Sequence, residues 1–163
     1  KKGETEDVHQ EMTITSDNFS VRSVRTLRDV QLSPVAAAWG SFTRAVTRIH
    51  RQKWTPPNTI NIELIMENEE NKITINHDHI MTPETEKTCH YLFGFTRNYN
   101  LEKGYPNDTD VRREQETIIG TEDIPMVEAQ QLNKTRFGNP QDVPGQADKF
   151  LIAVHKRISE IRG

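Results

Sequence analysis

Cysteine is almost absent from this chain: Cys89 is the only one in 163 residues. That excludes an internal disulfide, and it excludes a zinc or iron–sulfur site ligated by cysteines of this chain alone. Long apolar runs are lacking as well. No stretch approaches a membrane span, and the opening KKGETEDVHQ has no apolar h-region of a signal peptide, so the expectation is a soluble, cytoplasmic protein. Positive charge is not concentrated anywhere. With a formal charge of -3, no Lys/Arg-dense block and no RNA-binding aromatic motif, nucleic acid is disfavoured as a partner. Apolar residues are also scarce, at 33% of the chain. With a mean hydropathy of -0.77, the composition is lean for a self-sufficient core in a single domain spanning residues 1–163.

What is present reads as strands first and helices later. Glu11–Thr15 and Phe19–Val30 form two strand-like runs around the turn Ser16-Asp17-Asn18. In the second run Val21, Val24, Leu27 and Val30 also fall at a three-residue spacing, so a helix competes with the strand that its β-branched content favours. Ser33-Pro34 supplies an N-cap and a first-turn proline. The apolar positions Val35, Ala38, Trp39, Phe42, Ala45, Val46 and Ile49 then predict an amphipathic helix, broken by Trp54-Thr55-Pro56-Pro57. Ile60–Met66 and Lys72–Met81 read as strands joined by the turn 67–71. The segment from Thr109 to Leu132 reads as helix with a kink near Thr121–Ile124, where Gly120 and Pro125 interrupt it. After the Pro/Gly-rich loop Phe137–Gly145, a last helix keeps Ala147, Phe150, Leu151, Val154, Ile158 and Ile161 on one face. Antiparallel strands followed by segregated helices predict an α+β fold in which a curved sheet grips a long C-terminal helix, an arrangement that can enclose a ligand.

The densest chemistry lies in HDHIMTPETEKTCHYLFGFTRNYNL, from His77 to Leu101. Strand alternation puts Ile73, Ile75, His77, His79 and Met81 on one face, so both imidazoles project with the apolar residues. After Pro83 a second strand offers Cys89, Tyr91, Phe93 and Phe95 on one face, and the pair reads as a hairpin. An inward His79 is either a core histidine bonded to a backbone carbonyl or a hydrogen-bond partner for a ligand's carboxylate or phenolic oxygen. Asn61, on the neighbouring strand, either lines the same pocket or points outward. Cys89 reads as a buried small hydrophobe rather than a nucleophile.

Met81-Thr82-Pro83-Glu84-Thr85-Glu86, Thr88-Cys89-His90-Tyr91-Leu92-Phe93-Gly94-Phe95, Arg97-Asn98-Tyr99, Glu122-Asp123 and Val127-Glu128-Ala129-Gln130-Gln131 together closely resemble the C-terminal catalytic part of Rieske-type non-haem iron oxygenases of the vanillate O-demethylase group. Trp54-Thr55-Pro56-Pro57 fits the same pattern. The resemblance implies a helix-grip (START/Bet v 1-like) fold, incomplete in this chain, and a mononuclear Fe(II) held by two histidines and one carboxylate. Asp123 matches the carboxylate position. His79 matches a position that turns a polar group toward an aromatic substrate. The family's histidine pair and the ligands of its Rieske [2Fe–2S] cluster have no counterpart here, so the expectation is the C-terminal portion of a longer oxygenase without a Rieske domain, not expected to act alone. The resemblance further implies O-demethylation or hydroxylation of an aromatic compound with O2, a reductase as electron donor and assembly as a trimer.

Other readings stand beside this one. Without the family, Asp123 before Ile124-Pro125 reads as a local helix cap or a solvated charge. His77-x-His79 with Glu84 superficially resembles a cupin metal motif, but the glycines that flank such motifs are missing between Gly40 and Gly94. A standalone helix-grip module that binds an aromatic or apolar ligand without chemistry is the reading from a different class.

Overall fold

The computed structural model describes residues 12–102, 106–138, 143, 145 and 148–163. They fall into two compact units, one running up to Tyr99 and resuming from Pro144, the other Asn100–Val143. Parts of three sequence expectations lie outside the described residues: Glu11 of the first strand, Ala147 of the last helix, and residues 139–142 and 144 of the loop between helices.

The first unit is built on a six-stranded antiparallel sheet in which sequence order is spatial order. The strands are β1 (Met12–Ser16), β2 (Val21–Val30), β3 (Val46–Thr55), β4 (Thr59–Glu67), β5 (Lys72–Pro83) and β6 (Cys89–Arg97). Such a meander needs only short turns. Asp17 organises the first, its carboxylate accepting from the backbone N–H groups of Phe19 and Ser20 and pairing with Arg22 at 2.6 Å. Asn68 organises the β4–β5 turn by accepting from the N–H groups of Glu70 and Asn71.

Directly opposed residues in antiparallel strands share a face, so the register fixes what each face carries. One row runs Val21, Trp54, Ile60, His79 and Phe93, and the next runs Ser23, Gln52, Ile62, His77 and Phe95. Helix α4 (Lys149–Arg162) packs on this inner face, where Val154, Phe150, Ala153 and Ile158 meet Val21, Trp54, Ile14 and Ile60. A second apolar cluster gathers Phe42, Val46, Met66, Ile73, Ile75 and Tyr99, with Trp39 of the short helix α1 (Pro34–Trp39) against it. Trp39 stacks on Tyr99 at 5.9 Å. Arg157 ties α4 down by donating from Nη2 to the carbonyl of Asn18 at 2.6 Å.

The expected helix through Ile49 is corrected by the structure. Ser33 caps α1 as anticipated, its hydroxyl accepting from the Ala36 N–H, but the helix ends at Trp39. At Gly40 any Cβ would collide with the Phe42 ring, and Ser41 takes a positive φ of 53°, so the chain reverses there. From Val46 the β-branched residues Val46, Thr47 and Ile49 pair between β2 and β4, and tertiary pairing overrides the helical spacing. For β2 the strand reading holds. Its one register shift, between Leu27 and Val30, coincides with the left-handed Asp29 at φ 57°.

The second unit is a helical run: α2 (Asp108–Ile118), a π-helical turn (Ile119–Asp123) and α3 (Ile124–Phe137). Asn107 and Asp110 form a reciprocal capping box at the start of α2, and Gly138 at φ 78° closes α3. The expected interruption takes the form of the π turn, with the Ile124 N–H bonding back to the Ile119 carbonyl. Pro125 has no N–H to continue the ordinary ladder at that point.

Trp54 is 4% exposed and joins β3 to α4 through Val21 and Val154. Trp54→Ala is expected to cost about 3–5 kcal/mol, from lost transfer energy plus a residual cavity. Urea unfolding of both proteins measures this; a loss below about 1 kcal/mol would mean that α4 does not depend on this contact.

Candidate functional site

The inner face of β5 and β6 carries a run of rings. Strand alternation delivers His77 and His79 from β5 opposite Phe95 and Phe93 of β6, with Tyr91 one row further. His77 meets Phe95 at 5.0 Å and Phe93 edge-on at 5.6 Å. His79 meets Phe93 at 5.2 Å and stacks on Tyr91 at 5.9 Å with an interplanar angle of 15°. Its Nδ1 lies 2.6 Å from the Tyr91 hydroxyl, which fixes the plane of the imidazole. Burial pushes the His77 pKa down, and the neighbouring His79 adds to this while Asp78 partly opposes it. A neutral imidazole among phenyl rings is therefore the resting state of His77.

Asn61 does not share this face. It pairs with Asp78 in the register and bonds to the Asp78 carboxylate on the outer face of the sheet. The expectation that Asn61 lines one pocket with His79 is corrected by parity: Ile60, one residue earlier, is the β4 residue opposite His79. Asn61 instead lines an outer groove of about 450 Å³ with Arg51, Lys53, Glu63, Asn76 and Asp78. The ion pair between Arg51 and Glu63, at 2.8 Å, lies in it.

Cys89 is exposed rather than buried, because it falls at the open end of the β5–β6 ladder opposite Pro83. Glu84 is engaged in the hairpin turn, its carboxylate accepting from the Thr88 hydroxyl at 3.0 Å and lying 3.8 Å from His90 Nε2. It does not join His77 and His79 as a metal ligand. Among the described residues no three His, Cys, Asp or Glu side chains converge to hold a metal ion.

Asp123 belongs to the second unit, at the last position of the π-helical turn. Its backbone is helical, its side chain makes no capping hydrogen bond, and it is exposed. Of the two plain readings of Asp123, a helix cap is not what the structure shows, whereas its exposure accords with a solvated charge. π turns displace a side chain from the ordinary helical progression, and they recur at functional positions.

Sequence reasoning misses Arg48 and His50 because the helical spacing conceals β3, and with them it misses the significance of Arg25 on β2. These residues stand on the inner face of β2 and β3. The alternation Val46, Arg48, His50, Gln52, Trp54 was the available signal. Burial first, and then the guanidinium groups of Arg48 and Arg25, push the His50 pKa down to about 4.

Comparison with known proteins bears on this arrangement. The profile of the family described as vanillate O-demethylase oxygenase C-terminal domain matches residues 1–162. Among curated protein sequences there is no match. Solved structures of dicamba monooxygenase share the fold. One, bound to 3,6-dichlorosalicylic acid, superposes with a TM-score of 0.81 at 20% identity, covering 93% of this chain and 46% of that one. Another, with non-heme iron and dicamba, gives 0.74 at 19% identity, covering 93% and 48%. Apo dicamba monooxygenase gives 0.72 at 20% identity, covering 95% and 49%. The chain thus spans about half the length of the structures it matches. No helix among the described residues is long and apolar enough to cross a membrane.

The His50 environment has a consequence for stability. A histidine held at about 4 in the fold, against an ordinary value of about 6.5 once unfolded, binds more protons in the unfolded chain between those limits. Stability from this residue is complete above pH 6.5 and is lost as pH falls toward 4. The loss is about 1–2 kcal/mol after allowance for solvent screening of a partly exposed group. Denaturant unfolding at pH 7.5 and 4.5 is expected to show a smaller pH difference in His50→Gln than in the wild type; an equal difference would contradict a neutral His50.

Proposed function

Because the chain belongs to the vanillate O-demethylase oxygenase C-terminal domain family, we propose that it forms the substrate-enclosing half of a Rieske-type aromatic oxygenase, in a helix-grip fold. The observation that carries this reading is the ring-lined inner face of β5 and β6, with His79 held by Tyr91 among Phe93 and His77. Phenyl rings and a neutral imidazole make an apolar wall that favours a flat aromatic ligand and excludes water. His79 is the polar group in that wall, oriented by Tyr91 to hydrogen-bond a carboxylate or phenolic oxygen of the ligand.

In this reading Asp123 is the carboxylate ligand of a mononuclear Fe(II). The donor chemistry fits in part: an exposed, uncapped carboxylate at a π turn is available, but no histidine pair converges with it among the described residues. The histidines and the ligands of the Rieske [2Fe–2S] cluster would belong to the rest of a longer oxygenase, consistent with a chain that spans about half of the structures it matches. When bound, iron and cluster would supply O2 activation and electrons from a reductase, for hydroxylation or O-demethylation of the aromatic. Trimeric assembly and a cytoplasmic location belong to the same proposal. The residues of this chain bind the ring, orient it and keep water away.

Calorimetric titration with vanillate tests the site. His79→Gln is expected to weaken binding about tenfold, the loss of one hydrogen bond to a charged group, while Asn61→Ala leaves it unchanged. The opposite pattern would move the site to the outer groove. A second titration, with Fe(II) under anaerobic conditions, tests the metal assignment: no tight stoichiometric binding is expected for the wild-type chain. Tight binding lost in His77→Ala and kept in Asp123→Ala would transfer the metal to the strand histidines and overturn the role of Asp123.

A further inference from the structure

Between the two apolar clusters of the first unit, the inner face of β2 and β3 is polar. Along β2 the chain passes from Val21 through Ser23 and Arg25 to Leu27, and along β3 from Trp54 through Gln52, His50 and Arg48 to Val46. The two halves of this band differ. Ser23 and Gln52 satisfy each other, the Ser23 hydroxyl donating to Gln52 Oε1 at 3.1 Å. Arg25 and His50 do not. They face each other directly across β2 and β3, which brings their Cβ atoms to about 5 Å, with Arg48 on the diagonal at about 7–8 Å. Arg25 Nε and His50 Nε2 are both shielded from solvent and have no hydrogen-bond partner among the described residues.

The missing partner has a definite sign. Glu63 and Asp78 project from the outer face, Glu67 pairs with Lys72 at the β4–β5 turn, and Asp29 is exposed at the β2 bulge. No register position on the inner face of the described strands holds an Asp or Glu. Phe150, Ala153, Val154 and Ile158 of α4 and Trp39 of α1 pack on the apolar clusters that flank this band, and the α4 carboxylate Glu160 is paired with Arg157. A sheltered guanidinium costs free energy unless an acceptor pairs with it.

We propose that Arg25 and His50, with Arg48 beside them, form an anion subsite on the inner face of the sheet that takes the carboxylate of a small organic acid. The guanidinium donates in the fork geometry suited to a carboxylate, and the neutral imidazole donates one further N–H. Burial first, and then the guanidinium groups of Arg48 and Arg25, hold the His50 imidazole neutral, so it is available as a donor beside Arg25. His79 stands two strands and four residues away from His50 in the ladder, about 16 Å at ordinary strand spacings. A single-ring acid held at His79 does not reach Arg25, so this subsite is separate from the aromatic wall and does not rest on the oxygenase reading.

The test follows the arginine Nε–H signals of the 15N-labelled chain by NMR, using butyrate as the acid and butyramide as its neutral counterpart. The Arg25 signal is assigned by its absence from Arg25→Met and, independently, from Arg25→Lys. Butyrate is expected to shift the Arg25 signal saturably, and butyramide to leave it in place. In Arg25→Met the butyrate-dependent shift of the His50 ring signals should require at least tenfold more ligand. His79→Gln should leave the titration unchanged. An Arg25 signal unmoved by butyrate, or moved equally by butyramide, overturns the proposal, and so does loss of the response in His79→Gln.

Discussion

The antiparallel register of the six strands is the constraint on which everything else in the first unit depends. Its side-chain period of two assigns every residue to one face, and a slip of one position would exchange the faces completely. Along β3, β4 and β5 the pairing runs without a break, and the single shift lies in β2, between Leu27 and Val30. The bulge therefore leaves Val21, Ser23, Arg25 and Leu27 in phase with Trp54, Gln52, His50 and Arg48. What the inner face can bind is decided by this phase, before any individual contact is considered.

That face joins two kinds of chemistry. At β5 and β6, aromatic rings and the neutral His77 imidazole make a surface for flat apolar ligands; at β2 and β3, guanidinium groups and a neutral histidine make a surface for an anion. Burial has the same effect on the histidine in each place, since desolvation leads the causes that push down both His77 and His50. Carboxylates are kept on the other side of the sheet, where Glu63 and Asp78 meet Arg51 and Asn61. Among the described residues this sorting leaves Arg25 Nε and His50 Nε2 on the inner face without an acceptor, as expected of a ligand-binding surface rather than a purely structural core.

The sequence made the hairpin of β5 and β6 legible because polar and apolar residues alternate there without ambiguity, and the phase of His77 and His79 with Ile73 and Ile75 followed directly. It concealed β3. Val46 and Ile49 continue the three- and four-residue spacing of α1, and the reversal at Gly40 and Ser41 depends on the Phe42 ring, a contact that no local pattern reveals. Losing β3 hid Arg48 and His50, and with them the significance of Arg25. Asn61 was uncertain for another reason: Ile60, Ile62, Leu64, Ile65 and Met66 put apolar residues on both parities of β4, and only the pairing with Asp78 resolves its direction. The interruption near Pro125 was readable from proline alone, whereas its π-helical form was not.

The central claim is that ligand chemistry belongs to the inner face of the sheet and not to the outer groove. Backbone amide perturbation by NMR on titration with vanillate tests it most directly. Because strand amides lie between the faces, methyl and ring signals of side chains must be followed with them. The account predicts shifts in His77, His79, Tyr91 and Phe93, with Asn61, Asn76 and Thr96 unmoved. Shifts concentrated at Asn61, Asn76 and Thr96, with the His79 and Tyr91 rings unaffected, would contradict it.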